Sequence, residues 1–375
     1  MEYLIVGKHK IPKDKINPEN FGLWGGYTPL TLVEKSRESN VSSNDSGLRS
    51  KLFETAENDK YVQMAVQRLD SAFHQLSEHK DWSGVHSLRQ LAEELYSEIE
   101  ASRPIVFDLL GAMDYLQTEF ESENIALTGR DRLLVHSLDV CMHGCMAAVE
   151  ANAYHMKKGM EPPYDKKSMR KIAMGGLLHD IGKLEKQMME LWTLPRKLTD
   201  DEREEMKLHT QYGLIILQEY QDVLGSDLLD CVAFHHEKPD GSGHFHVSDD
   251  DYASDESKVI SVADKFAAMF TERRRYRDEP VPNFWNGAFL AEVFGYRIQE
   301  GKALVEVPEN YPENPWGKVT SAFERLFRNG VHSHPDKDFY STELVLGGSK
   351  RMCVFYQPEE KERIIPANIE EGYHA

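Results

Sequence analysis

From about residue 51 the chain repeats apolar residues at spacings of three and four, the pattern of helices that bury one face. YVQMAVQRLDSAFHQL (61–76) and RPIVFDLLGAMDYLQTEF (103–120) both show it, and Pro104 suits the first turn of the second helix. RLLVHSLDVCMHGCMAAVEANAYHMKK (132–158) has an almost unbroken apolar face. KKSMRKIAMGGLLHDIGKLEK (166–186) reads as a helix ending near Gly182. LTDDEREEMKLHTQYGLIILQEY (198–220) reads as one helix opened by a capping box, Thr199 with Glu202. SDLLDCVAFHHE (226–237) runs into the turn KPDGSG, and DESKVISVADKFAAMFTERRR (255–275) is helical again. The ends differ. Residues 36–47, SRESNVSSNDSG, read as a polar linker, and EYLIV near the start as a short strand. STELVLGGSKRMCVFYQ (341–357) reads as two strands around a Gly-Gly-Ser turn. The expected fold is mainly α: a helical bundle core, a helical N-terminal region and a small C-terminal β element.

The length of 375 residues suggests about two domains. The expected division is 1–125 as an N-terminal region, 126–330 as the core and 331–375 as an extension. No sequence repeat is evident. With 40% hydrophobic and 29% charged residues the composition is that of a globular protein. No apolar run approaches the roughly 20 residues of a membrane span, and the N-terminus lacks the basic start of a secretory signal. Four sparse cysteines make no disulfide framework. A cytoplasmic location is therefore expected. The net charge of −19 disfavours binding to a polynucleotide.

Against this background GGLLHDIGKLEK (175–186) stands out, because His179, Asp180 and Lys183 interrupt an apolar run. They have company. His136, His209, His235, His236 and Asp264 also lie on apolar faces, each predicted on a different helix apart from the adjacent pairs. Imidazole and carboxylate suit borderline and hard divalent metals such as Fe, Mn or Zn, and helical bundles build metal centres from facing helices in this way. Adjacent residues on a helix point about 100° apart, so each pair would serve two ions rather than chelate one. Asp180 could bridge them, and paired ions are a known device for in-line attack on phosphorus. Burying so many ionisable groups without a cation would be costly. Single histidines such as His143 and His155 are read as structural. Cys141, His143 and Cys145 form only a weak zinc pattern, and the two thiols are expected to pack in a helix interface. The acidic stretch SDDDYASDE (248–256) lacks calcium-loop spacing and reads as a solvated loop.

These residues resemble the HD-GYP branch of the HD-domain phosphohydrolases. The resemblance rests on HS at 136–137, LLHDIGK at 177–183, LTDDE and KLHTQYG within 198–213, HHEKPDGSG at 235–243 and VADKFAAM at 262–269, over about residues 128–280. It implies a metal-dependent phosphodiesterase that hydrolyses a cyclic dinucleotide, chiefly cyclic di-GMP, to the linear dinucleotide or GMP. It implies metal ligands at His136, His179, Asp180, His209, His235, His236 and Asp264. Asp180 and Lys183 carry the catalytic roles, with Lys183 on the scissile phosphate. Arg274 and Arg277, within RRRYR (273–277), fall near the family's substrate-binding arginines. Two divalent ions, iron or manganese, are expected. A third metal in some members uses a glutamate where this chain has Arg132. The Gly-Tyr-Pro that names the family is Gly243, His244 and Phe245 here. Cyclic GMP-AMP or another nucleotide ester is an alternative substrate, and a weakly active cyclic dinucleotide receptor or scaffold an alternative role. Residues 1–125 carry no recognised cofactor motif; they could sense a signal, pair two copies as a homodimer or cap the bundle.

Overall fold

The computed structural model describes residues 3–6, 9–12, 60–101, 129–192, 194, 198–238, 243–244, 253–268, 298–299, 302–303, 315–326, 331–334, 339–346 and 349–356. Four expectations lie outside these residues: the helix over 103–120, the linker 36–47, the arginines of 273–277, and Phe245. Tyr3–Val6 pairs antiparallel with His9–Pro12, and Val331–His334, Phe339–Leu346 and Ser349–Tyr356 form an antiparallel ladder in that order.

Helices dominate the described residues. They are α1 (Lys60–His74), α2 (Ser83–Glu100), α3 (Gly129–Lys157), α4 (Lys166–Leu178), α5 (Lys186–Trp192) and α6 (Asp200–Met206). There follow α7 (His209–Leu217), α8 (Gln221–Leu224), α9 (Ser226–Phe234), α10 (Asp255–Ala267) and α11 (Pro315–Leu326). Helix α3 is the axle, with α4, α10, α11 and α2 packed around it. α9 and α10 also pack on α4, and α1 pairs with α2. One continuous apolar cluster runs through α1, α2, α3, α4, α7, α9, α10 and α11. The amphipathic faces read from the sequence are the faces buried here, as the hydrophobic effect requires.

Helix α3 meets the length and composition of a membrane span over Arg132–Lys157, contrary to the expectation that no run comes close. Its apolar window is 89% buried by its neighbours, so burial inside the bundle accounts for its composition. Cys141 and Cys145 are buried on this helix as free thiols. His143 bonds Asp139 on its own helix and stacks on Phe266 of α10, which is the structural role expected of it.

Caps follow local chemistry. Thr199 and Glu202 form the predicted capping box at the start of α6. Asp165 caps α4, and Ser254 caps α10 by accepting from the Ser257 amide. The end of the acidic stretch 248–256 is thus not loop: Asp255 and Glu256 form the first turn of α10, where negative charge favours the helix dipole.

Two predicted helices are interrupted, both at candidate ligands. Helix α4 ends at Leu178, before the His-Asp pair, and a 3-10 turn follows over Ile181–Leu184. The predicted helix 198–220 divides into α6 and α7 just before His209. The cause is the same in both places. His179 Nδ1–H donates to the Gly176 carbonyl at 2.8 Å, and His209 Nδ1–H to the Met206 carbonyl at 2.7 Å. His235 repeats the device beyond the end of α9, donating to the Val232 carbonyl at 3.0 Å. Each imidazole takes a carbonyl three residues back that a continuing helix would give to a main-chain amide.

Candidate metal centre

The bundle gathers the seven candidate ligands from five places: mid-α3 (His136), the end of α4 (His179, Asp180), the start of α7 (His209), the end of α9 (His235, His236) and mid-α10 (Asp264). Gly182 makes this convergence geometrically feasible. A Cβ at this position would overlap the His209 carbonyl and the Gly213 amide, so only glycine lets the 3-10 turn lie flat on α7.

The ligand atoms fall into two groups. In one, Asp180, His209, His235 and His236 place their donor atoms within 4.8 Å of one another; in the other, His136, His179 and Asp264 do the same, so His179 and Asp180 divide between the groups as expected of adjacent residues but His235 and His236 do not. The carboxylates join the groups. Asp180 Oδ2 lies 3.3 Å from His136 Nε2 and 3.2 Å from His179 Nε2, while its Oδ1 lies 3.1 Å from His209 Nε2 and 3.8 Å from His235 Nε2. Asp264 Oδ1 is 3.1 Å from His136 Nε2, and its Oδ2 is 3.7 Å from His236 Nδ1. Each aspartate therefore turns one oxygen toward each group.

The local hydrogen bonds prepare the imidazoles. A carbonyl can only accept, so the contacts of His179, His209 and His235 to the helix ends fix the proton on Nδ1. Their Nε2 atoms are turned to the centre. This is the orientation that outer hydrogen bonds give to metal-ligating histidines. Burial, together with neighbouring His179 and His209, holds His235 well below the usual histidine range. Burial does the same to His236, aided by His235 and His244. His235 is thus neutral, and its Nε2 lone pair faces His209 Nε2 at 3.4 Å.

The carboxylates are the opposite case. Burial alone would raise Asp180, but Lys183, His179 and His136 hold it well below the usual carboxylate range. Burial is likewise outweighed at Asp264, where a bond from His136 and the nearby His136 and His179 rings hold the carboxylate well below the usual range. Asp180 Oδ1 is buried without a hydrogen-bond partner despite the nearby imidazoles. Lone pairs and carboxylate oxygens that face one another in a dry interior call for a shared cation. The donor set of nitrogen and oxygen, without sulfur, suits Fe, Mn or Zn. The residues present therefore fit divalent metal.

Lys183 is 6% exposed. Its Nζ donates to Asp180 Oδ2 at 2.5 Å and lies 3.8 Å from the centre of the Trp192 ring. It stands three residues beyond Asp180, as the sequence places it.

His244 is the residue that sequence reasoning passed over. Read as a departure at a family signature, it puts its ring 4.1 Å from His236 and 5.5 Å from His209. Burial, with His209 and His235 nearby, holds it well below the usual range, and its Nδ1 is buried without a partner. Gly243 seats it there, since a Cβ on Gly243 would overlap Glu237. The only signal available in the sequence was a further histidine eight residues beyond the His235–His236 pair.

Comparison with known proteins agrees with this geometry. The family model described as HD domain matches residues 133–269. A cyclic di-GMP phosphodiesterase of Pseudomonas aeruginosa is 31% identical over 150 residues, covering 38% of this chain and 34% of that protein. A cyclic di-GMP phosphodiesterase response regulator of Xanthomonas campestris pathovar campestris is 32% identical over 130 residues, covering 34% of this chain and 32% of that protein. The chain thus spans about a third of the length of these curated relatives. No solved structure matches. The helical bundle over residues 133–269, with its two groups of histidine and aspartate, is thus similar to the HD domain family.

Proposed function

We propose that this protein is a metal-dependent phosphodiesterase acting on a cyclic dinucleotide, with cyclic di-GMP as the leading substrate. The observation that carries the reading is the bridging placement of Asp180 and Asp264 between two groups of imidazoles. The names of the two relatives, both cyclic di-GMP phosphodiesterases, support the substrate class. His136, His179 and Asp264 would hold one divalent ion, and His209, His235 and His236 the other, with Asp180 shared; iron or manganese suits these donors. Bound metals supply a water-derived nucleophile at neutral pH and offset charge on phosphorus.

The chain's own residues do the rest. The Nδ1–H bonds of His179, His209 and His235 hold the imidazoles in one tautomer and orientation, so no reorganisation is required during reaction. Asp180 and Asp264 stay ionised, which keeps their oxygens available as ligands. Lys183 brings a cation to the same edge, where it would offset charge that grows on a phosphoryl oxygen in the transition state. The buried apolar wall of α3 and α4 excludes water and strengthens each of these interactions. Arg274 and Arg277 remain candidates for the second phosphate of the substrate.

The test is hydrolysis of cyclic di-GMP, cyclic GMP-AMP and bis-p-nitrophenyl phosphate by protein loaded with Mn²⁺ or Fe²⁺. Turnover of cyclic di-GMP well above the other two supports the reading. Preference for cyclic GMP-AMP redirects the substrate, and tight binding without turnover of any of the three replaces the enzyme with a receptor.

A further inference from the structure

On the His136 side of the metal centre, buried hydrogen-bond donors have no acceptor among the described residues. Arg132 lies on α3 four residues before His136, hence one turn earlier on the same face. Helical side chains lean toward the N-terminus, so the His136 side chain lies over the turn that holds Arg132. The Arg132 Nε and Nη1 are both buried and have no hydrogen-bond partner. At the end of α5, the Trp192 ring lies 6.1 Å from the His136 ring, and its Nε1 is also buried without a partner. Helices α3 and α5 are in contact, so both donors belong to one corner of the bundle.

Guanidinium and indole N–H groups can only donate. Leaving such donors buried and unpaired is costly, so their complement must be an acceptor. The nearby carboxylates are turned elsewhere: Asp180 toward Lys183 and four histidines, Asp264 toward His136 and His236. An acceptor from outside the chain would satisfy the donors of Arg132 and Trp192. Beside a cationic Lys183 and a metal pair, the chemistry that fits is an oxyanion whose oxygens take several N–H donors at once, and guanidinium matches phosphate in this way.

We propose that Arg132 and Trp192 form a phosphate-binding edge of the metal centre on its His136 side, where they bind non-bridging oxygens of a nucleotide phosphate. The proposal rests on the phosphodiesterase reading for the identity of the nucleotide, and on the unpaired donors alone for the oxyanion. Lys183 would act on the same phosphate from beneath the Trp192 ring. Neither Arg132 nor Trp192 is needed as a metal ligand, so the edge should be separable from metal binding.

The experiment uses the full-length protein loaded with Mn²⁺ and compares the wild type with Arg132→Met, Arg132→Lys and Trp192→Phe. Binding of inorganic phosphate is titrated by calorimetry, KM and kcat are measured for cyclic di-GMP, and metal content is determined by mass spectrometry. Arg132→Met should weaken phosphate about 10- to 100-fold, the loss expected for hydrogen bonds to a charged group, with metal content unchanged. Arg132→Lys should recover part of this, and Trp192→Phe, which keeps the ring and removes only the N–H, should weaken phosphate about threefold or more. Wild-type phosphate affinity in both Arg132→Met and Trp192→Phe would overturn the proposal. So would metal loss in step with phosphate loss, which would assign Arg132 to the metal centre itself. If Arg132→Met does not fold, Arg132→Lys and Trp192→Phe decide the matter by the same readouts. Arg132-dependent phosphate binding in a protein that hydrolyses no cyclic dinucleotide would refute the phosphodiesterase reading while upholding this edge.

Discussion

Gly182 rests directly on the main-chain carbonyl of His209, with no room between them for a side chain. The His-Asp turn and the start of α7 are thereby locked at one distance. Gly182→Ala must push the two apart, an overpacking that typically costs about 1–3 kcal/mol. Because His209 and Asp180 are the parts displaced, activity should fall by at least about tenfold while helix content is kept. Thermal unfolding by circular dichroism, with metal content measured alongside, checks this; a variant with wild-type metal content and turnover would show that the contact is incidental.

Lys183 separates binding from chemistry. Lys183→Met keeps the stem that packs near Trp192 and removes the charge. If the ammonium offsets charge developing on phosphorus, kcat should fall about 100- to 1000-fold with metal content near that of the wild type. Steady-state kinetics on cyclic di-GMP provide the readout. A variant that raised only KM would place Lys183 in ground-state binding instead.

The metal should also be a structural element. The Nε2 atoms of His209 and His235, 3.4 Å apart, and the buried Oδ1 of Asp180 are placed to share a cation. Metal present at about 100 times its Kd would stabilise the fold by roughly 2.7 kcal/mol, and chelation would remove this. A fall in Tm with a strong chelator, restored by Mn²⁺, is expected; an unchanged Tm would mean that the bundle does not depend on the ion.

Away from the centre, Asp230 gives the fold a pH dependence. Burial raises its carboxyl to about 7, partly opposed by the Ser254 N–H, which donates to it at 3.2 Å. The folded value lies above the unfolded one, so folding favours the protonated form. That contribution is fully present below about pH 4 and is lost as the pH rises through about 7. Relative to Asp230→Asn, the wild type should lose on the order of 2 kcal/mol between pH 5 and pH 8. Urea unfolding at the two pH values measures this, and parallel pH profiles for the two proteins would contradict it.

The sequence carried much of this picture, because the hydrophobic period marks buried faces directly. The faces of α3, α4 and α10 are where their apolar residues put them, and seven polar residues in apolar stretches at five places along the chain were visible as exceptions. What it did not carry were relations made by side chains across space. The breaks at His179 and His209 depend on an imidazole taking a carbonyl three residues back, which periodicity does not register. The place of His244 beside His236 depends on Gly243 lying against Glu237. The unpaired donors of Arg132 and Trp192 become informative only when their surroundings are known.

Two ions that share Asp180 are the central claim, and metal stoichiometry tests it most directly. Elemental analysis of purified protein reconstituted with Mn²⁺ or Fe²⁺ should give about two ions per chain for the wild type and fewer than one for Asp180→Ala, because both groups lose the same ligand. A single ion in the wild type, or two retained in Asp180→Ala, would contradict the bridged pair.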